Sequence, residues 1–156
     1  MDYALLKRVI AALEARGVRY AVFGAIAMNV HGLARITEDL DLFIAPTADN
    51  VARLRRALND VFDDTELDKI SADDLIGEYP SVRYVPPAGH TYFDILTRLG
   101  DAFAFDDLET ERKHLDGIPV TVVTARTLYR MKKDTVRLKD RADAEMLRRR
   151  FNLEPE

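Results

Sequence analysis

The chain has 156 residues, 47% of them apolar, which is enough to bury a core within one domain. It contains no cysteine, which excludes disulfides, thiolate zinc sites and cysteine nucleophiles, and neither serine, Ser71 or Ser81, sits in a Gly-x-Ser-x-Gly elbow. The net charge of −4 argues against a general nucleic-acid binder, and the longest apolar run, Tyr20 to Met28, is too short to cross a bilayer.

The first segment, Asp2 to Arg16, places Leu5, Leu6, Val9, Ile10 and Leu13 at helical spacing, and Gly17 is suited to end it. This start lacks the basic-then-apolar layout of a signal peptide, so a cytoplasmic location is expected. Tyr20 to Phe23 reads as a short strand, broken at Gly24 and followed by a small-residue helix to Val30. Leu40 to Ile44 reads as a second strand, with Leu40, Leu42 and Ile44 on one face and Asp39, Asp41 and Phe43 on the other. After Pro46-Thr47, the spacing of Val51, Leu54, Leu58 and Val61 predicts a helix, and Ser71 to Asp74 has the form of another helix start. Ser81 to Val85 and Tyr92 to Leu96 read as paired strands. Arg112 to Leu115 and Ile118 to Val123 flank Asp116-Gly117, a dipeptide favoured in tight type I′ hairpins. Thr124 is placed to cap a helix carrying Leu128, Met131, Thr135 and Leu138. A last helix is expected from about Asp140 to Phe151, its apolar side being Ala144, Met146, Leu147 and Phe151. The expected fold is α/β (α+β): one domain over 1–156, with a mixed sheet to about residue 124 and two helices at 125–151.

Charge is unevenly spread. Residues 126–150 hold ten Lys/Arg against four Asp/Glu, whereas 60–78 hold eight acids and one lysine. The acidic run reads as a solvated surface.

Thr37-Glu38-Asp39-Leu40-Asp41-Leu42 is the most informative stretch. Side chains two apart on a strand share a face, roughly 6–7 Å apart, so Asp39 and Asp41 project together. They either meet water at an exposed strand face or serve a purpose, since aspartate is disfavoured in strands. Two ionised carboxylates about 6 Å apart repel by ~3 kcal/mol at an effective dielectric near 20, and a bound divalent cation reverses that sign. Oxygen-only ligands suit Mg²⁺. Asp94, set among Tyr92, Phe93, Ile95 and Leu96, can join the pair if its strand lies alongside. Upstream, Phe23-Gly24-Ala25 is a strand–glycine–helix junction of the kind that aims backbone N–H groups at phosphate, though many such turns use glycine for packing alone.

Gly24-x-x-Ala27, His31-Gly32-x-x-Arg35-x-Thr37-x-Asp39-x-Asp41 and the later Asp94 together resemble the nucleotidyltransferase superfamily related to DNA polymerase beta. The likeness is to its minimal branch, which includes AbiEii-type toxins. Arg137-Leu138-Lys139-Asp140-Arg141-Ala142-Asp143 is similar to the same group's ending, so the resemblance spans about residues 18–150. It implies that Asp39, Asp41 and Asp94 are catalytic and bind one or two Mg²⁺ ions, Asp94 also orienting or deprotonating the acceptor. It implies that Gly24 and Ala25 line the triphosphate, with Arg35 and Thr37 beside them. A lysine, Lys132, Lys133 or Lys139, would neutralise phosphate. The implied reaction is NMP transfer from an NTP such as ATP to a hydroxyl of a protein, RNA or small molecule, with a possible antitoxin-like partner. The family motif has Gly or Ser where this chain has Ala25, which keeps the N–H but adds a methyl and supplies no hydroxyl. An alternative is a protein of this fold that binds a nucleotide or a partner without transfer.

The remaining candidates have plainer readings. His31 suits a helix-end hydrogen bond, and His90 and His114 lack metal-ligand spacing and read as surface residues. Arg35 either binds phosphate or pairs with an acid such as Glu38 or Asp41, and Thr37 also suits a bond to backbone. Asp140 and Asp143 read first as favourable charge at a helix N-terminus. Tyr84 and Tyr92 read as strand packing rather than base stacking.

Overall fold

A computed structural model describes residues 1–155. Helix α1 (Tyr3–Ala15) is capped by the Asp2 carboxylate, which accepts from the Ala4 N–H at 3.0 Å. Strand β1 (Tyr20–Phe23) runs directly into α2 (Gly24–Val30), and after a loop the chain forms β2 (Asp39–Ile44). Helix α3 (Ala48–Phe62) starts on a Thr47 cap and stops where Asp63 turns left-handed. A 3-10 turn (Thr65–Lys69) and α4 (Ala72–Ile76), capped by Ser71, lead to β3 (Ser81–Tyr84) and β4 (Tyr92–Leu96). Two-residue strands β5 (Arg98–Leu99) and β6 (Phe103–Ala104) pair only with each other. Strands β7 (Thr110–Leu115) and β8 (Ile118–Val123) form the expected hairpin, and both Asp116 and Gly117 have positive φ, as a type I′ turn requires. Helices α5 (Ala125–Lys133) and α6 (Leu138–Phe151) end the chain.

The six-stranded sheet has the order β3-β4-β2-β1-β8-β7. Strand β2 runs parallel to β4 and antiparallel to β1, and β1 runs parallel to β8. Leu40, Leu42 and Ile44 of β2 and Phe93 and Ile95 of β4 share a core with Val9, Ile10 and Leu13 of α1 and Leu54 and Leu58 of α3. All of these are almost fully inaccessible, and each large aliphatic group so buried contributes roughly 1.5–3 kcal/mol before entropy is counted. The opposite face of the sheet carries the aspartates.

Three expectations from the sequence need correction. Helix α5 ends at Lys133, so Thr135 and Leu138 do not extend it; Leu138 opens α6 and is 80% exposed. The buried residues of α6 are Asp143, Ala144 and Leu147; Met146 is exposed, and Phe151 is partly exposed with its ring packed edge-on against the buried His31. The acidic run 60–78 is not merely solvated. Leu67, Ile70 and Leu75 enter the core, and the buried Asp64 carboxylate accepts from the Tyr84 hydroxyl at 2.9 Å.

Candidate active site

The strand register assembles the site. Phe23 on β1 stands opposite Asp41 on β2, Asp41 beside Asp94 on β4, and Asp94 opposite Arg83 on β3. One row across four strands therefore reads Arg83, Asp94, Asp41, Phe23, because residues in register on neighbouring strands share a face. The next row places Tyr92 beside Asp39, whose carboxylate holds the Tyr92 phenol above its ordinary pKa.

Immediately after Phe23, Gly24 makes the turn into α2 with φ +68°, and its missing side chain is filled by Asp41. A Cβ built on Gly24 would lie 2.0 Å from Asp41 Oδ2. Only glycine permits both this backbone conformation and this approach. The Asp41 carboxyl is pushed up to about 7, first by burial and then by the neighbouring charges of Asp94 and Asp39, with Lys132 and Arg83 opposing.

Across a cleft of about 380 Å³, α5, α6 and the residue that precedes α6 present Lys132, Arg137, Lys139, Asp140 and Asp143 to this row. Of the candidates named from the sequence, Asp39, Asp41, Asp94, Gly24, Ala25, Arg35, Thr37, Lys132 and Lys139 line this cleft, whereas Lys133 does not and lies 3.5 Å from Asp134. Sequence reasoning set Asp140 and Asp143 aside as helix-start charges, and the structure gives them a different role. Asp143 has a side chain only 1% exposed and lies 3.0 Å from both Lys132 Nζ and Arg35 Nη1. Asp140 takes a second contact from Lys132 at 3.2 Å and accepts from the Thr135 hydroxyl at 3.1 Å. Arg35 thus pairs with an acid, but with Asp143 rather than Glu38 or Asp41. Its Nε is buried without a hydrogen-bond partner, as is Asp143 Oδ1. On the side formed by residues 126–150, three cations, Lys132, Arg137 and Lys139, line the cleft against two carboxylates, Asp140 and Asp143, so only a small part of that segment's positive excess faces the aspartates.

Other readings resolve simply. Thr37 Oγ1 accepts from the Asp39 N–H at 3.1 Å at the start of β2 while also lining the cleft. His31 is buried, donates from Nε2 to the Val123 carbonyl at 2.8 Å, and ties α2 to β8. Tyr84 packs with Phe62 and Phe93.

Arg83 was missed in the sequence. Its guanidinium grips both oxygens of Asp94, at 2.8 and 3.0 Å, and stacks over the Tyr92 ring at 4.3 Å. Its only sequence signal is a cation at an alternate position of an edge strand, which becomes informative once the β3–β4 register is known.

The donor set is all oxygen and suits a hard divalent cation. Asp41, desolvated against Gly24 and repelled by two acids, is the group whose ionisation such a cation would favour. Among the described residues no three acids or histidines are yet drawn together as a ligand cluster. Asp94, engaged at both oxygens by Arg83, is the arm turned to another partner.

A mixed sheet with aspartates on adjacent strands, a glycine turn against one of them and two helices closing the cleft define a nucleotidyltransferase fold. The structure of ANT(2″)-Ia in complex with adenylyl-2″-tobramycin superposes with a TM-score of 0.59 at 11% identity, covering 96% of this chain and 88% of that one. A solution structure of ANT(2″)-Ia matches with 0.59 at 13% identity, covering 96% and 83%. TM1012 of Thermotoga maritima, assigned to the nucleotidyltransferases, matches with 0.58 at 17% identity, covering 96% and 91%. The chain belongs to the AbiEii nucleotidyl transferase toxin family of type IV toxin–antitoxin systems, whose model matches residues 5–132. Comparison with curated proteins gives no significant match. No helix among the described residues is long and apolar enough to cross a membrane.

Proposed function

We propose that the chain transfers an NMP from an NTP, ATP among the candidates, to a hydroxyl acceptor, with Mg²⁺ held by Asp39, Asp41 and Asp94. The observation that carries this reading is the seating of Asp41 against Gly24, with Asp94 beside it in register. Such a contact specifies glycine at the strand end and leaves a desolvated carboxylate facing the cleft. Mg²⁺, when bound, supplies charge that stabilises the phosphate oxygens and lowers the pKa of the attacking hydroxyl.

The chain's own groups do the positioning. Gly24 and Ala25 offer backbone N–H groups at the head of α2 to the triphosphate, and Ala25 contributes no hydroxyl. Lys139, exposed at the mouth, meets phosphate directly, whereas Lys132 acts from within its pairing to Asp140 and Asp143. In the transfer, the acceptor oxygen forms a bond to the α-phosphorus and the α–β bridging P–O bond breaks. Pyrophosphate leaves, and the hydroxyl proton passes to the Asp94 carboxylate. ANT(2″)-Ia was captured with an adenylylated small molecule, which makes a small-molecule hydroxyl one acceptor to assay beside RNA and protein hydroxyls. The family's toxin–antitoxin setting makes an antitoxin-like protein a partner to test.

The test is labelling of cell extract by [α-³²P]NTPs with Mg²⁺. Transfer by the wild type and none by Asp41→Asn is expected, and equal labelling by the two would overturn the mechanism. If NTP and Mg²⁺ stabilise the protein to heat with no turnover on any acceptor class, the binding-only alternative replaces it.

A further inference from the structure

Both oxygens of Asp94 already have a partner, with which an incoming cation or acceptor hydroxyl must compete. Arg83 reaches it from the edge strand with Nε 2.8 Å from one oxygen and Nη2 3.0 Å from the other. This is a bidentate fork, the strongest geometry open to a guanidinium and a carboxylate. The arginine side chain is 58% exposed and that of Asp94 26%, so the pair lies at the open flank of the cleft, free to separate into water. The same flank continues as a shallow groove along Ser81, Val82, Arg83 and Leu96, leaving room for the guanidinium to swing aside. A stop exists on the way out, because the Tyr92 ring lies 4.3 Å under the guanidinium and would retain it by cation–π attraction.

We propose that Arg83 is a positioning residue that acts as the resident counter-ion of Asp94, and that a divalent cation must displace it before Asp94 takes up its role. The proposal rests on the nucleotidyltransferase reading above. It accounts for a feature which that reading leaves unexplained: the three aspartates line one cleft, yet they do not converge as a ligand cluster. Arg83 would also hold Asp94 oriented between turnovers, so losing it should cost order at Asp94 even as it frees the cation site.

The test measures Mn²⁺ binding by electron paramagnetic resonance on the wild type, Arg83→Ala, Arg83→Lys, Asp94→Asn and the double variant Asp94→Asn/Arg83→Ala. An exposed bidentate pair is worth about 1 kcal/mol, so Arg83→Ala should bind Mn²⁺ about fivefold more tightly. Arg83→Lys, which keeps the charge but loses the fork, should fall between. In the Asp94→Asn background, removal of Arg83 should change the affinity little, since the competition is for Asp94 itself. Turnover by Arg83→Ala should need less Mg²⁺ for half-maximal rate but have a lower kcat. Equal tightening in the Asp94→Asn background would assign the effect to charge at a distance and overturn the proposal. So would unchanged or weaker binding by Arg83→Ala. Absence of Mn²⁺ binding by wild type and Arg83→Ala alike would overturn the metal site itself, and with it both readings.

Discussion

Replacing Asp41 by asparagine should stabilise the metal-free protein, by an amount that grows from about pH 4 and is complete above about pH 7. Burial against Gly24 and the charges of Asp94 and Asp39 lift the Asp41 carboxyl from 3.8 to about 7. The folded state therefore holds a proton that the unfolded chain releases near pH 4. Between those two values folding takes up a proton, so stability falls as pH rises, and the loss is complete above about pH 7. A shift of roughly three units corresponds to at most ~4 kcal/mol, and relaxation of the neighbouring acids lowers this to about 2–4 kcal/mol. Asparagine has nearly the same shape and no charge, so it escapes the penalty. Urea denaturation in EDTA at pH 4 and pH 8.5 reads the effect as a difference between the two proteins, in which titrations shared by both cancel. The expected result is near-equal stability at pH 4 and a clear advantage for Asp41→Asn at pH 8.5. A gap of the same size at both pH values, or a less stable variant at pH 8.5, would refute the account of Asp41 as a strained, desolvated charge.

Gly24→Ala should lose activity and about 1–3 kcal/mol of stability, because the new methyl meets Asp41 Oδ2 in a left-handed turn; thermal melting and NTP labelling check the two parts. Asp143→Ala leaves Lys132 and Arg35 half-buried without their shared counter-charge and should cost about 3–5 kcal/mol in urea denaturation. Asp143→Asn, which keeps the shape, should lose less. Tyr84→Phe removes the hydroxyl that Asp64 accepts and should cost about 1–3 kcal/mol, leaving NTP labelling per folded molecule unchanged since Tyr84 lies on the core face of the sheet.

The parts of the site visible in the sequence are those that period-2 alternation and turn chemistry report. Asp39 and Asp41 share a face by spacing, Gly24 breaks a strand, and Asp116-Gly117 closes a hairpin. Asp94 needed one further step, the assumption that its strand lies beside β2, and the parallel register supplies it. Arg83 could not be read in the same way, because its importance comes from standing opposite Asp94 across an antiparallel pair. Asp143 was misjudged for a related reason. A charge near a helix start is favourable in isolation, and only the packing of α6 on α5 shows that it is buried with two cations. Nor does sequence period register the 3-10 turn at Thr65–Lys69, where Leu67 is drawn inward from among acids.

The aspartates of the candidate site lie on parallel neighbours, β2 and β4, with α3, α4 and β3 threaded between them in the chain. Closing that pairing is a long-range event, paid in loop entropy before any contact offsets it. The wall of α5 and α6 comes later still in the sequence. A nascent or clipped chain that stops short of β4 possesses Asp39 and Asp41 without Asp94, and one that stops short of α5 has no opposing side to its cleft. Under the proposed reaction, each such fragment lacks a group that the transfer requires, so the site is complete only in the finished fold.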